Sequence, residues 1–404
     1  MSHETRMSGP WIIVAGDFKK SGGMDRANWE LADFLVKRGT HVHLVAHYVE
    51  ETLAAQPGVT VHLALKPLGS YMLGGIFLSR KAEAVWRRLS NHEPQATIVA
   101  NGGNCLVRGA NWSHFVHHAW RPDYAGAPLL YRLKGTVERY LECRKERVAY
   151  RRAQVVIANS EATARHIEEC LDGGYEKVHT VYLGSDNGWL PVAPAARSAS
   201  RKAFGFDPKR LIALSVGGIS FDNRKGFDVL LAAWQRLSES PEWDVDLVVA
   251  GSGRALTKWR NEVDRRGLNK RIRFIGFCND MPALFAAADV LVSVPRYEPY
   301  GLTIQEALGS GLPAIISASA GIAERVPSEY APLLIHDPSK PSECAQRLLT
   351  WRADQDHWRR LATRLGRELC VRTWTETARE MVEIIEAAYK VDGPSRACSV
   401  YSAP

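Results

Sequence analysis

Apolar positions in this chain fall into short solid runs separated by longer amphipathic stretches. Residues 11–15 (WIIVA) form a continuous apolar run bounded by Pro10 and Gly16, the pattern of a parallel strand covered on both faces. A loop containing Ser21, Gly22 and Gly23 follows. Asp25 is placed to cap a helix whose apolar positions Trp29, Leu31, Ala32, Leu35 and Val36 approximate the 3.6-residue period. Gly39 stops this helix, and 41–46 alternates as the next strand, completing a βαβ unit.

Further strands are expected at 96–100, 113–117, 154–158 and 178–183, with Ser160 capping a helix after the third of these. Residues 187–200 (NGWLPVAPAARSAS) have no clear period and read as a linker. The pattern then restarts, with strands at 211–216, 246–250, 272–275, 290–294 and 314–317 and a helix at 227–237. Two successive β/α halves predict an α/β protein of two doubly wound, Rossmann-like domains facing one another across a cleft. The expected domains are 1–188 and 189–374. Residues 375–390 read as a terminal helix, and the stretch 375–392 is expected to pack back on the first domain. The last residues read as a frayed tail.

Composition changes this picture little. The chain has 404 residues, 46% apolar and 24% charged, enough for two cores without covalent staples. A net charge of +8 favours anionic partners such as nucleotide phosphates or acidic lipid surfaces. Aromatic residues are not interleaved with the basic runs, which argues against nucleic acid. The seven cysteines form no CxxC pair, so neither a disulfide framework nor a zinc site is expected. The N-terminal residues are polar and the apolar runs are short, so the expected location is cytoplasmic.

Two motifs carry the chemistry. In Glu298-Pro-Tyr300-Gly301-Leu302-Thr303-Ile-Gln-Glu306, a strand end leads into a helix opened by Gly301. The first free N–H groups, of Gly301, Leu302 and Thr303, form an anion site at a helix N-terminus. Glu298 and Glu306 are carboxylates suited to sugar hydroxyls. The second motif, Gly218-Ile-Ser-Phe-Asp-Asn-Arg224-Lys225-Gly226, places two adjacent cations after the first strand of the second half. Such a pair can neutralise a departing diphosphate. Either motif alone also fits an ordinary βα loop with solvated charges; both at strand ends of one half are harder to explain that way.

The Glu-x7-Glu at 298 and 306, the Arg-Lys-Gly at 224–226 and the Gly22-Gly23 pair together resemble the retaining glycosyltransferases of family 4, which have the GT-B fold. The resemblance covers nearly the whole chain. It implies that Lys225 with Arg224 binds the donor diphosphate, that Glu306 holds the donor ribose and that Glu298 contacts the transferred sugar. Gly22 and Gly23 would close over the diphosphate and the acceptor. Gly218 stands where many relatives carry Arg, and Arg224 can supply that charge. His117 matches a strand-end histidine that in similar enzymes contacts the donor sugar and reacting centre. Strand alternation would send His118 to the opposite face, and it sets His114 and His117 on opposite faces. Gly251 and Gly253 begin a GxG whose third glycine position is Leu256, so a dinucleotide fingerprint is incomplete. The resemblance gives Gly251 and Gly253 a place near the nucleotide, and sets Gly276 and Phe277 beside the base.

The expected reaction transfers a hexose from a UDP- or GDP-linked sugar to a glycan, lipid-linked or small-molecule acceptor. Retention is implied by the resemblance. No DxD pair follows a strand, so the transfer is expected to be metal-independent, with no cofactor beyond the nucleotide diphosphate-sugar co-substrate. Acceptor contacts are expected in first-half loops such as 68–78. Residues 129–152 hold eight Lys or Arg and an apolar series Leu130, Leu133, Val137, Leu141 and Val148. This reads either as a core-facing helix with a solvated basic face or as a contact with an anionic membrane surface, peripheral at its inner face. A sugar-nucleotide epimerase, a phosphorylase and a non-catalytic sugar-nucleotide binding protein are the alternatives.

Overall fold

The computed structural model describes residues 9–124, 126–170, 177–186, 189 and 194–392. The chain divides into two compact units, one of 1–119, 134–184 and 374–404, the other of 120–133 and 185–373.

The first unit is built on strands β1 (Trp11–Val14), β3 (Val42–Ala46), β5 (Val59–Leu63), β6 (Thr97–Asn101), β7 (Ala110–Ser113), β8 (Val155–Ala158) and β9 (Val178–Thr180). They form one sheet in the order β5-β3-β1-β6-β7-β8-β9, with every neighbouring pair parallel. A separate parallel pair joins β2 (Asp17–Phe18) to β4 (Tyr48–Val49). The helices are α1 (Met24–Lys37), α2 (Glu51–Ala54), α3 (Tyr71–Ser90), α4 (Leu129–Arg152), which starts in the other unit, α5 (Glu161–Cys170) and α13 (Trp374–Asp392). The apolar run of β1 is fully buried, as a central parallel strand requires. At the chain's end α13 packs on α1, with an Arg38–Glu386 ion pair at 3.0 Å. The Tyr389 hydroxyl donates to the Ile98 carbonyl and accepts from the Ile98 N–H, both at 3.2 Å.

The second unit holds β10 (Leu211–Val216), β11 (Val245–Ala250), β12 (Ile272–Gly276), β13 (Val290–Ser293), β14 (Ala314–Ser317) and β15 (Leu334–Ile335). Their order is β12-β11-β10-β13-β14-β15, again all parallel. Around them lie α6 (Pro194–Ala203), α7 (Phe227–Leu237), α8 (Leu256–Arg265), α9 (Met281–Ala287), α10 (Leu302–Gly309), α11 (Pro341–Ala353) and α12 (Gln355–Cys370).

Several sequence expectations are corrected. The strand expected at 113–117 is β7 at Ala110–Ser113, because its ladder with β8 pairs Ala110 with Val155 and Ser113 with Ala158. The chain leaves the sheet there and enters a turn at 117–119. Part of the expected linker, 187–188 and 190–193, lies outside the described residues, but 194–203 is helical. Its alanines favour a helix, and Arg201 anchors it through Asp289 at 3.1 Å. Nor is 68–78 a loop: α3 begins at Tyr71, and the Ser70 hydroxyl accepts from the Leu73 N–H at 3.5 Å. Gly23, not Asp25, holds the N-cap position of α1, and Asp25 lies in its first turn. Ser160 does cap α5, accepting the Thr163 N–H at 3.0 Å. The apolar series of α4 does not face the core. Leu130 is 81% exposed and Leu133, Val137 and Leu141 are also exposed, whereas Gly135, Cys143, Glu146, Ala149 and Tyr150 are buried. The tail from 393 onward lies outside the described residues. No described helix is long and apolar enough to cross a membrane.

Candidate active site

In the second unit's sheet, the chain runs from β10 through β11 to β12 on one side, then returns to place β13, β14 and β15 on the other. The strand order therefore reverses between β10 and β13, and ligands bind outside the carboxyl ends of strands at such a point. Both motifs lie on the loops leaving these two strands. Gly226 opens α7 in the left-handed region (φ 68°), and a Cβ there would lie 2.0 Å from the Val294 carbonyl oxygen. Only glycine lets the two loops approach this closely. Arg296 adds a second tie, donating to Asp228 at 2.8 and 2.7 Å, while its N–H reaches the Arg224 carbonyl at 2.8 Å.

Between these ties Lys225 forms an ion pair with Glu298. Burial pushes the Glu298 carboxyl up, but the charges of Lys225 and Arg224 outweigh it and hold Glu298 below its ordinary range. Glu298 thus stays ionised in a half-buried position. The Arg224 guanidinium donates to the Tyr297 carbonyl at 3.3 Å. Gly301 turns the chain into α10 with φ 106°, and the first amides of that helix, at Gly301, Leu302 and Thr303, are those that have no partner within it. Glu306 is half-buried on the second turn. Tyr300 has a different place from its neighbours. Its side chain is buried, and its hydroxyl bonds Gln305 and accepts from Arg325 at 2.9 Å. It braces the start of α10 from within.

Gly251 and Gly253 support the β10 loop by close approach. A Cβ at Gly251 would lie 1.9 Å from the Gly217 carbonyl oxygen, and one at Gly253 would lie 2.1 Å from that of Ile219. Gly218, by contrast, has open space where a side chain would start. The Gly276 carbonyl accepts the Gly251 N–H at 2.7 Å, and Phe277 beside it is exposed.

In the first unit, Gly22 (φ 89°) and Gly23 lead into α1 from an exposed loop. His117 and His118 both turn to the same residue, Glu146 of α4. Its carboxylate accepts from the His117 N–H and pairs with His117 Nδ1, each at 3.0 Å, and reaches the His118 N–H and Nδ1 at 3.4 and 3.5 Å. Strand alternation does not separate the two histidines, because they lie in a turn beyond the strand. Burial pushes the Glu146 carboxyl up, but the hydrogen bonds from His117 and His118 bring it below its ordinary range. His114 is buried, which pushes its imidazole down to about 3 and keeps it neutral.

Sequence reasoning passed over Glu146, hidden among the basic residues of α4. It also passed over Asp17, just past β1. The nearly buried Asp17 carboxylate takes Lys19 at 2.5 Å and the Tyr71 hydroxyl at 3.0 Å on one oxygen. Its other oxygen is buried with no hydrogen-bond partner among the described residues. Asp25, 3.8 Å from Lys19, is pushed up to about 6 by burial and by the charge of Asp17.

Two parallel α/β units, the second with a cation-lined helix terminus at its switch point, define a fold of the GT-B class. WaaG, a glycosyltransferase involved in lipopolysaccharide biosynthesis, superposes with a TM-score of 0.73 at 20% identity, covering 93% of this chain and 99% of WaaG. HepE of Anabaena, solved with UDP-glucose, gives a TM-score of 0.70 at 21% identity, covering 94% and 99%. Residues 21–188 match glycosyltransferase family 4, and residues 196–367 match glycosyl transferases group 1. The chain belongs to glycosyltransferase family 4. The mannosylfructose-phosphate synthase of Agrobacterium fabrum is 28% identical over 253 residues, 60% of this chain and 54% of that protein. The chain thus spans about half the length of that relative.

Proposed function

We propose that this protein transfers a hexose from a UDP- or GDP-linked sugar to a glycan, lipid-linked or small-molecule acceptor, with retention at the anomeric carbon. The observation that carries the reading is the Lys225–Glu298 pair set beside the first turn of α10 at the switch point of the second sheet. A donor diphosphate placed there meets Lys225, Arg224 and the amides of Gly301, Leu302 and Thr303. Together they neutralise the charge that grows as the bond from the anomeric carbon to the phosphate oxygen breaks. This is the part a metal ion would otherwise play, and the reaction is proposed to proceed without a metal or other cofactor. Glu298 accepts hydroxyls of the transferred sugar, and Glu306 those of the ribose.

No carboxylate is assigned as a covalent nucleophile. In the proposed route the acceptor oxygen bonds the anomeric carbon on the face the phosphate leaves, and the acceptor proton passes to the departing phosphate oxygen. His117 is proposed to bind a hydroxyl of the transferred sugar. HepE was solved with UDP-glucose, which supports UDP-linked hexoses as the first donors to try. Thermal shift across a panel of nucleotide sugars, followed by hydrolysis and transfer assays, tests the reading. Binding without hydrolysis or transfer would leave only a binding module, and an inverted product by NMR would overturn retention.

A peripheral contact with anionic membrane is proposed as well. Leu129, Leu130, Leu133, Val137 and Tyr140 are exposed on α4, on a helix that also carries eight basic residues. Apolar residues and cations on one helix suit an anionic lipid surface. Flotation with acidic liposomes should be salt-sensitive; no binding at low salt removes this contact.

A further inference from the structure

Glu146, 1% exposed, is the most buried carboxylate among the described residues. An ionised carboxylate needs partners when it is taken from water. In place of Lys or Arg, this one uses the two N–H groups and the two imidazoles of a single turn, His117 and His118. An ionised carboxylate only accepts hydrogen bonds, so the hydrogen in the 3.0 Å contact sits on His117 Nδ1. The neutral imidazole then carries its lone pair on Nε2.

The two histidines differ at that second nitrogen. Arg147 donates to His118 Nε2 at 3.3 Å, so that lone pair is already used. His117 Nε2 meets no protein group among the described residues, and the side chain is 37% exposed. The same carboxylate therefore fixes both rings but leaves one of them with an outward acceptor.

We propose that Glu146 is a positioning residue. It pins the 117–118 turn and holds His117 in the Nδ1–H tautomer, presenting Nε2 as a hydrogen-bond acceptor for a hydroxyl of the bound sugar. The proposal rests on the reading above for the place of His117 in the site. Its own content is the tautomer and the residue that sets it. Glutamine at 146 keeps the shape but has one acceptor oxygen where the carboxylate has two, and no charge, so its amide N–H must face one donor-bearing end of the turn and the hold on the Nδ1–H tautomer weakens.

The test begins with ¹⁵N-histidine-labelled protein without ligand, at a pH where the imidazoles are neutral. Long-range nitrogen–proton spectra should show His117 as the Nδ1–H tautomer, assigned by loss of its signals in His117→Gln. An Nε2–H tautomer in the wild type overturns the proposal, and this measurement needs no folded variant at 146. In Glu146→Gln, the His117 signals should shift toward Nε2–H. Release of UDP from UDP-glucose should fall roughly tenfold to a hundredfold, while UDP binding by calorimetry stays unchanged. Full activity with an unaltered tautomer in Glu146→Gln overturns the proposal. If His117→Ala releases UDP at the wild-type rate, the placement of His117 in the site fails, and the proposal fails with it. If His117→Ala is inactive while Glu146→Gln is fully active, only the role of Glu146 fails.

Discussion

Lys225 and Glu298 form an ion pair across the two loops that leave β10 and β13, and the Lys225 charge does more than that of Arg224 to keep Glu298 ionised. A donor diphosphate bound as proposed would compete with Glu298 for the lysine. Lys225→Ala should lower transfer on the order of 100-fold or more and leave the melting temperature within a few degrees. Donor turnover and a thermal melt check both halves. Near-normal turnover would show that the diphosphate is held elsewhere.

Gly226 tests the loop junction itself. Alanine there combines a left-handed φ of 68° with a Cβ only 2.0 Å from the Val294 carbonyl oxygen. The strain and the forced separation should cost about 2–4 kcal/mol, visible as a lower urea midpoint. An unchanged midpoint would mean that the loops separate freely.

Asp25 gives a pH dependence of definite sign. Burial, then the charge of Asp17, raises its carboxyl from 3.8 to about 6. Between those values the folded state binds more protons than the unfolded chain, so stability falls as pH rises from about 4 to about 6 and is flat above. Asp25→Asn should therefore raise stability by about 1–2 kcal/mol at pH 8 and have little effect at pH 4. Paired melts at the two pH values decide it; equal effects at both would remove the linkage.

The edge of the first sheet gives the opposite sign. His43 Nδ1 lies 3.0 Å from His62 Nε2, and the His41 and His43 rings stack at 4.8 Å. Burial, then His41 and His62, push the His43 imidazole from 6.5 down to about 4. Here the unfolded chain binds the extra proton, so the contribution present above pH 6.5 is lost as pH falls toward 4. In His43→Gln the acid-side loss of stability over that window should shrink. If the wild-type and variant profiles run parallel, the histidines do not titrate with folding.

Elements buried on both faces were the easiest to read. Residues 211–216, 227–237 and 314–317 match β10, α7 and β14 residue for residue, because apolar patterns stopped or started at Gly217, Gly226 and Pro313 leave few alternatives. The helix α3 escaped notice. It buries only Gly74, Leu78, Ala82 and Val85, a narrow stripe with two small residues and little apolar signal. The same loss of signal hid α6, whose Pro and Ser content resembles a linker. At the site, sequence spacing brought out residues close together in the chain, such as Glu298 ahead of α10 and Glu306 within it. It could not bring out Glu146, which meets His117 from 29 positions away. Tyr300 was legible as part of a motif, but its inward direction depends on Gln305 and Arg325.

The return of α13 to α1, with Tyr389 bonded to both backbone groups of Ile98, bears on the order in which the chain matures. Residues 374–392 are synthesised after residues 185–373 of the second unit, so the first unit waits for α13 to close its surface. Residues 185–373 of the second unit are complete before α13 emerges. A nascent chain stalled before Trp374 should present an uncovered α1 face, a natural target for chaperones during synthesis.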